Sequence, residues 1–232
     1  MNQAYLIFIL LFLVLPLENT QAQNRGKVIT RQISPKDAPE NENPKNFRFT
    51  AGGGYSYRLG KLMKTGDEKL DDFSSGLRSG YNIDVEAQYF FHDYIGVGLN
   101  GNYIKQSNSE HGMLNIPGVG GVTNYKESNR FVYIGASCVF RYENDKWGFY
   151  TNYGIGPILY TNTGELEGNR IEFNKATAGI YCSIAGERRI NRNTGAGLKM
   201  AITSGMIKID GLDEKLSVSN LILTGFISFR TK

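Results

Sequence analysis

Long hydrophobic runs are nearly absent from this 232-residue chain. Residues 4–17 form one uncharged run of 14 residues, which is short of the about 20 that a helix needs to cross a bilayer. No second run reaches that length, and mean hydropathy is −0.33. A membrane span elsewhere in the chain must therefore be made of strands.

The run near the N-terminus predicts a signal peptide over residues 1–22. Thr20, Gln21 and Ala22 place small residues where a signal peptidase cuts, so cleavage is expected near Ala22. The segment before the run carries no Lys or Arg, and an uncleaved anchor is the alternative. No cysteine adjoins the cleavage point, which argues against a lipoprotein. Residues 23–45, polar with three prolines, are predicted to be a flexible periplasmic lead-in, with a docking segment as the alternative.

Two cysteines and two histidines leave little for catalysis or metal binding. His92 falls in a short predicted turn and His111 in the longest predicted connection, so they cannot share a metal or a triad. The glycine-rich residues 118–121 lack the Lys-Ser/Thr and the helix of a phosphate loop, and no cofactor is predicted. Cys138 and Cys182 are predicted on strands with a third strand between them. That spacing of about 9.6 Å exceeds disulfide reach.

The chain also lacks a large excess of positive or negative charge. The chain has 26 basic and 22 acidic residues, and removal of the signal peptide with Glu18 gives a mature net charge of +5. The excess is mild and spread along the chain, so no nucleic-acid partner is predicted.

Glycine and aromatic residues are abundant, with 28 Gly, 14 Tyr and 13 Phe, which favours an all-β protein. Residues 77–90, LRSGYNIDVEAQYF, show the clearest pattern, because odd positions from Tyr81 to Tyr89 are apolar or aromatic and even positions are polar. A strand puts these two sets on opposite faces. In a soluble barrel the apolar face would be internal, whereas in a membrane barrel it would face lipid.

Eight segments alternate in this way: 46–59, 77–90, 94–104, 130–142, 147–161, 175–187, 194–204 and 217–230. Their connections are 17, 3, 25, 4, 13, 6 and 12 residues long, as expected for short periplasmic turns and long external loops. The longest, residues 105–129, is predicted to be irregular and mobile. Pro157 conflicts with its strand, and a bulge is predicted there.

The mixed polar face suits the lumen of a narrow membrane barrel better than an apolar soluble pocket. Its charges are predicted to form a lumen network in which Asp84 and Glu86 are ion-paired rather than catalytic. The full set is Arg48, Arg78, Asp84, Glu86, Arg141 and Lys199. Aromatic residues are predicted to form two girdles at interfacial depth. The girdle near the short turns contains Phe47, Tyr89, Tyr94, Tyr142, Trp147 and Phe229, and that near the long loops contains Tyr57, Tyr81, Tyr103 and Phe131.

With this pattern, residues 46–230 resemble the small eight-stranded outer-membrane β-barrels of the OmpA transmembrane-domain and OmpX kind. The resemblance implies a porin-like barrel domain over residues 46–232, placed in the bacterial outer membrane by the barrel assembly machinery. Members commonly end on an aromatic residue, and Phe229 matches it, although three residues follow. Outer-membrane lipid A deacylases resemble the fold too, but neither histidine has a serine at their spacing.

These patterns predict an all-β, eight-stranded antiparallel up-and-down transmembrane barrel without enzymatic activity. Eight strands leave an interior that side chains fill. Its expected role is to present external loops to a protein partner or to act as an accessory membrane subunit in contact with outer-membrane lipid. A small-solute pore and a lipid-modifying enzyme are the alternatives.

Overall fold

The architecture follows from strands that alternate apolar and polar residues. The computed structural model describes residues 46–60, 67–116, 120–166, 169–208 and 215–231. The predicted signal peptide and lead-in, residues 1–45, lie outside them. In chain order the elements are β1 (Phe47–Arg58), α1 (Glu68–Gly76), β2 (Ser79–Phe90), β3 (Ile95–Glu110), β4 (Leu114–Ile116), β5 (Gly120–Val122), β6 (Tyr125–Glu143), β7 (Trp147–Leu166), β8 (Asn169–Arg189), β9 (Thr194–Lys208), β10 (Lys215–Ser217) and β11 (Asn220–Thr231). In this described part, no helix is long and apolar enough to span a bilayer.

Eight long strands close into a ring, each antiparallel to both neighbours. The order is β1, β2, β3, β6, β7, β8, β9 and β11, and β11 pairs back with β1. A path of register partners that leaves β1 at Phe47 returns to it at Tyr57, ten residues along. This stagger tilts the strands by about 35–45°.

The two faces of the barrel are sorted as in a membrane protein. On β2, Ile83 and Val85 are 54% and 52% exposed, whereas Asp84 and Glu86 are 1% and 5% exposed. The same alternation of exposed and buried residues runs through the ring, with apolar side chains outside and a mixture of polar, charged and apolar side chains inside. The eight-stranded antiparallel transmembrane barrel is therefore confirmed, and a soluble carrier with an apolar interior is excluded.

The outer apolar band has the height of a bilayer. On β2 it runs from Tyr81 to Tyr89 and on β3 from Ile95 to Tyr103, nine residues each. A tilted strand needs about 9–11 residues to cross the hydrocarbon.

Several predicted loops are paired strands instead. The β3–β6 ladder continues to Glu110 opposite Tyr125, and the β7–β8 ladder continues to Leu166 opposite Asn169. The prediction of an irregular segment over residues 105–129 was therefore wrong, and most of the predicted loop 162–174 is also strand. Beyond the bilayer both faces of a strand meet water, so backbone hydrogen bonds continue without the alternation that reveals a strand in the sequence.

The first predicted loop contains the helix α1. Asp67 caps it, accepting hydrogen bonds from the backbone N–H groups of Lys69 and Leu70 at 3.0 and 3.3 Å. Phe73 packs with residues of the β4–β5 hairpin in the cluster Phe73, Leu77, Leu114 and Val122. Tyr125 packs against this cluster, and burial together with the Glu127 carboxylate 3.1 Å away raises the pKa of its hydroxyl. The long-connection end of the barrel is thus an ordered structure in its described part.

Pro157 interrupts the wall without a bulge. Tyr133 pairs with Ile158 and Ala136 with Ile155, so the register is the same on both sides and no extra residue is inserted. Only the two rungs between them are missing, as expected where proline lacks a donor. The strands stay close there, since a Cβ at Gly156 would lie 2.1 Å from the backbone oxygen of Ile134.

Candidate functional site

Side chains fill the barrel interior in three layers. An apolar cluster near the long connections contains Ile104, Phe131, Tyr133, Ile158, Tyr160, Tyr181, Ala201, Ile207, Val218 and Ile222. A smaller one near the short turns contains Phe90, Val139, Tyr150, Ala185 and Phe226. Buried charged and amide side chains lie between and beside them.

Lys199 joins the two carboxylates of β2. Its ammonium group donates a hydrogen bond to Asp84 and another to Glu86 at 2.9 Å, and each of the three side chains is at most 2% exposed. Lys199 lies on β9, which two strands separate from β2 in the ring. The ion pairs therefore connect strands that do not pair with each other.

The Glu86 carboxylate has partners on both oxygens. Besides Lys199, one oxygen accepts from Tyr181 at 3.0 Å and Asn152 at 3.3 Å, and the other accepts from Gln88 at 3.0 Å and Thr50 at 3.5 Å. A carboxylate offers about four lone-pair positions. Glu86 is thus held as a structural acceptor, with no position left to exchange a proton with a substrate.

A second network lies nearer the short turns. Arg48 donates to Glu187 from two nitrogens at 3.0 and 2.8 Å and stacks 3.7 Å from the centre of the Tyr150 ring. Arg230 forms ion pairs with Glu187 at 2.9 Å and with Glu143 at 3.6 Å. Arg48 and Glu86 are 4.0 Å apart, so Glu187 is the main partner of Arg48.

Sequence reasoning did not single out Glu187, Arg230, Tyr181 or Asn152 for the network. The alternation in the sequence places each of these residues on the inward face of its own strand. It does not show which strands face each other across the lumen. That information lies in the stagger of the ring.

Two predicted members of the charged network lie apart from Asp84 and Glu86. Arg78 precedes β2, is half-buried, and places its guanidinium 3.4 Å from the Tyr57 hydroxyl, so its placement in the lumen was wrong. Arg141 is buried, but it stacks on Phe90 at 4.0 Å and donates to the backbone oxygen of Asp93 at 2.7 Å. It therefore holds the β2–β3 turn.

The predicted girdles need one correction. Phe131 is 2% exposed and packs inside the barrel, 5.0 Å from Tyr160, because it alternates with the outward residues Val132 and Ile134. Tyr57 and Tyr103 are half-buried on the outer face. The exposed outward set is Phe47, Tyr81, Tyr89, Tyr94, Tyr142, Trp147 and Phe229.

The structure brings no metal or nucleophile site together in its described ranges. His111 contacts Asn124 at 3.2 Å, while His92 lies in the β2–β3 turn. Among the described residues no group of three or more His, Cys, Asp or Glu side chains is arranged to hold a metal ion. Cys138 and Cys182 are free thiols that lie on either side of Tyr153, which is the register partner of both.

Asn100 differs from its neighbours in the polar layer. Both atoms of its amide are buried without a hydrogen-bond partner in the described protein. Replacing a group that makes no bond removes little, so Asn100→Leu is expected to change the free energy of unfolding by less than about 1 kcal/mol. Asn152→Leu, the matched control, breaks bonds to Glu86 and Ser183 and is expected to cost about 1–3 kcal/mol. Equal losses in urea unfolding would contradict this assignment.

The outer end of β8 is an open sheet edge. Pairing of β8 with β9 begins at Gly179 opposite Gly205, whereas its pairing with β7 extends out to Asn169. Within the described part of the chain, residues 169–174 therefore have a ladder partner on one side only, whereas Thr177 already donates a hydrogen bond to the backbone oxygen of Met206 on β9 at 2.8 Å. The opposite edge of this protruding sheet is covered, because Asn108 on β3 donates to the backbone oxygen of Phe73 in α1 at 2.8 Å.

Polar and charged side chains line this edge. Glu172 accepts hydrogen bonds from Asn174 at 3.0 Å and Arg170 at 2.8 Å, and these two bonds lower the pKa of its carboxyl group. Ile171, between them, is exposed. Charged residues on an edge strand oppose unspecific sheet-to-sheet association. The edge is therefore open, but its charged side chains disfavour unspecific pairing with other strands.

Comparison with known proteins finds likeness in structure only. No family model matches the chain, and no curated protein matches it. Among solved structures, Ail, the attachment invasion locus protein of Yersinia pestis, is 11% identical, with 81% of this chain and 100% of Ail covered and a TM-score of 0.49. Neisserial surface protein A is 14% identical, with 79% and 96% covered and a TM-score of 0.47. The outer-membrane protease OmpT of Escherichia coli is 11% identical, with 81% and 97% covered and a TM-score of 0.41.

Proposed function

We propose that the protein is a non-enzymatic barrel of the bacterial outer membrane that holds a β-sheet outside the bilayer for contact with a protein partner. The observation that carries the proposal is the edge of β8 over residues 169–174, which has no second ladder partner among the described residues. A row of unpaired backbone N–H and C=O groups is best suited to bind an extended polypeptide, which adds to the sheet as a further strand.

The interior supports an anchoring role. Buried ion pairs join β2 to β9 and β1 to β8, and apolar clusters lie toward both ends. A rigid wall suits a protein that displays a surface, because little of the binding free energy is then lost in ordering the edge. The same filling disfavours the small-solute pore, and the saturated Glu86 carboxylate disfavours a lipid-modifying enzyme.

Orientation follows from the connections. An even number of strands returns both chain ends to one side, and the short turns suit the periplasmic side. Phe229 lies exposed on the terminal strand and remains our candidate for the signal read by the assembly machinery.

Membrane insertion gives a first test. The mature chain is expected to fractionate with outer membranes and to migrate differently on gels before and after boiling, because a folded barrel resists detergent unfolding. Recovery in the soluble periplasmic fraction would contradict the proposed location.

The partner test uses a photo-crosslinking residue at Ile171, on the open edge. Whole cells illuminated under growth conditions are expected to give a protein adduct, whose partner mass spectrometry identifies. The same residue placed at Asn144, in the short β6–β7 turn, is the position control and should not capture that partner.

Two shortened barrels of equal size then separate the edge from the rest of the surface. In one, residues 161–174 are replaced by Asn-Gly, which joins the register partners Tyr160 and Lys175. In the other, residues 111–124 are replaced in the same way between Glu110 and Tyr125. The first should no longer co-purify the identified partner, and the second should retain it. Retention by both would show that the contact does not use the β8 edge.

A further inference from the structure

We propose that Lys105 and Arg130 form a binding site for the phosphate group of an outer-leaflet lipid. The site lies on the outer face of β3 and β6, apart from the β8 edge, and rests on the proposed membrane orientation.

The two cations are neighbours by register. Lys105 pairs directly with Arg130 across β3 and β6, and both follow the outward series of their strands. Directly opposite side chains on one face have Cβ atoms about 4.5–5.5 Å apart. A single phosphate can therefore accept hydrogen bonds from both side chains.

The positive charges of Lys105 and Arg130 repel each other, and a bound anion would reduce this repulsion. Like charges directly opposite each other in a sheet are destabilising. In the described part of the chain no carboxylate lies within ion-pair distance of Lys105 or Arg130. The Glu172 carboxylate interacts with Arg130 only at longer range, because its hydrogen bonds go to Arg170 and Asn174. Among the described residues the two positive charges thus have no ion-pair partner.

Depth in the membrane identifies the anion as a lipid phosphate. Lys105 is the first outward residue beyond Tyr103, and Arg130 is the first beyond Val132, so both lie where the apolar band ends. Tyr81, the partner of Lys105 on β2, lies 6.3 Å from Tyr103 in the aromatic girdle. Aromatic girdles mark headgroup depth, and basic residues there attract anionic lipid.

The site is local rather than part of a basic ring. The register continues from Arg130 to Thr161 on β7 and then to Asn174 on β8, both neutral. On the other side of the site, the register partner of Lys105 on β2 is Tyr81, which is also uncharged. The site also opens sideways toward the bilayer and not toward the tip of the sheet, which favours a lipid over a soluble anion.

The test measures retention of bis-phosphorylated lipid A by the folded full-length barrel in detergent, using native mass spectrometry. The variant is Lys105→Gln with Arg130→Gln, and the matched control is Lys69→Gln with Lys126→Gln, which removes the same charge from the long-connection end. Each cation near a headgroup is worth about 1 kcal/mol, so the pair should account for roughly 10- to 30-fold in affinity. Heat-modifiable migration checks that both variants fold.

We expect the double variant to lose lipid A by that factor, while the control variant and the charge-keeping Lys105→Arg retain it. Lipid A stripped of phosphate should bind the wild type as weakly as the phosphorylated lipid binds the double variant. Equal retention by the double variant and the wild type would overturn the site, as would equal binding of the stripped lipid. Inorganic phosphate that binds as tightly as lipid A would overturn the lipid assignment. Lipid A retention is measured on the purified barrel without a protein partner, so failure of the β8 contact leaves this result standing.

Discussion

A barrel carrying Glu86→Ala is expected to unfold at a clearly lower urea concentration than the wild type, with a loss of about 3–5 kcal/mol. The substitution leaves Lys199 with Asp84 as its remaining carboxylate, and it removes the acceptor of Tyr181 and Asn152 in an interior that excludes bulk water. The measurement is equilibrium urea unfolding in lipid vesicles.

The matched control for this loss is Glu165→Ala. Glu165 is an exposed carboxylate on β7 opposite Lys126, beyond the apolar band, and a surface change of this kind is expected to stay within about 0.5 kcal/mol. If Glu86→Ala unfolded like Glu165→Ala, the interior charges would be solvated and would not stabilise the barrel.

The partner of Glu86 can be identified by a double-mutant cycle. The combined loss from Glu86→Ala and Lys199→Met should be smaller than the sum of the two single losses, because both substitutions remove the same ion pair. Adding Arg48→Met should give nearly additive losses, because Arg48 is bound mainly to Glu187. Losses that are additive with Lys199→Met but smaller than the sum with Arg48→Met would contradict the pairing of Glu86 with Lys199.

Alternation in the sequence was sufficient to predict the eight strands and their faces wherever one face meets lipid. It gave the outward set on β2 and the inward positions of Asp84, Glu86 and Lys199, because a one-residue slip would turn the whole apolar set into the interior. The misplacement of Phe131 was such a slip, since Val132 and Ile134 already occupy the outward parity.

Three features could not be predicted by this reasoning. Outside the bilayer both faces of β7 and β8 meet water, so residues 162–166 and 169–174 keep their ladder while the pattern that identifies a strand disappears. The nine-residue helix α1 is too short to show a helical period. Side-chain contacts across the lumen could not be predicted either. The contact between Lys199 and Glu86 depends on the ten-residue stagger of the ring, which the alternation along a single strand does not reveal.

The second large effect is expected on the opposite face of β2. Val85 is 52% exposed and lies midway between Tyr81 and Tyr89, so its side chain faces the middle of the apolar band. Val85→Arg is expected to cost roughly 2–4 kcal/mol, the usual penalty for a cationic side chain near the bilayer midplane. Urea unfolding in the same vesicles measures it.

Ser107→Arg is the matched control for this substitution. Ser107 lies on the outward face of β3, beyond Lys105 and outside the apolar band, so the same side chain there meets water and should change stability by less than about 0.5 kcal/mol. A penalty at Val85 and none at Ser107 isolates the effect of hydrocarbon from that of charge. Val85 and Glu86 are adjacent in the chain but are held by different surroundings, lipid for one and an ammonium group for the other. If neither Val85→Arg nor Glu86→Ala changed the free energy of unfolding, the apolar face would have to lie inside the barrel. That result would contradict the membrane assignment.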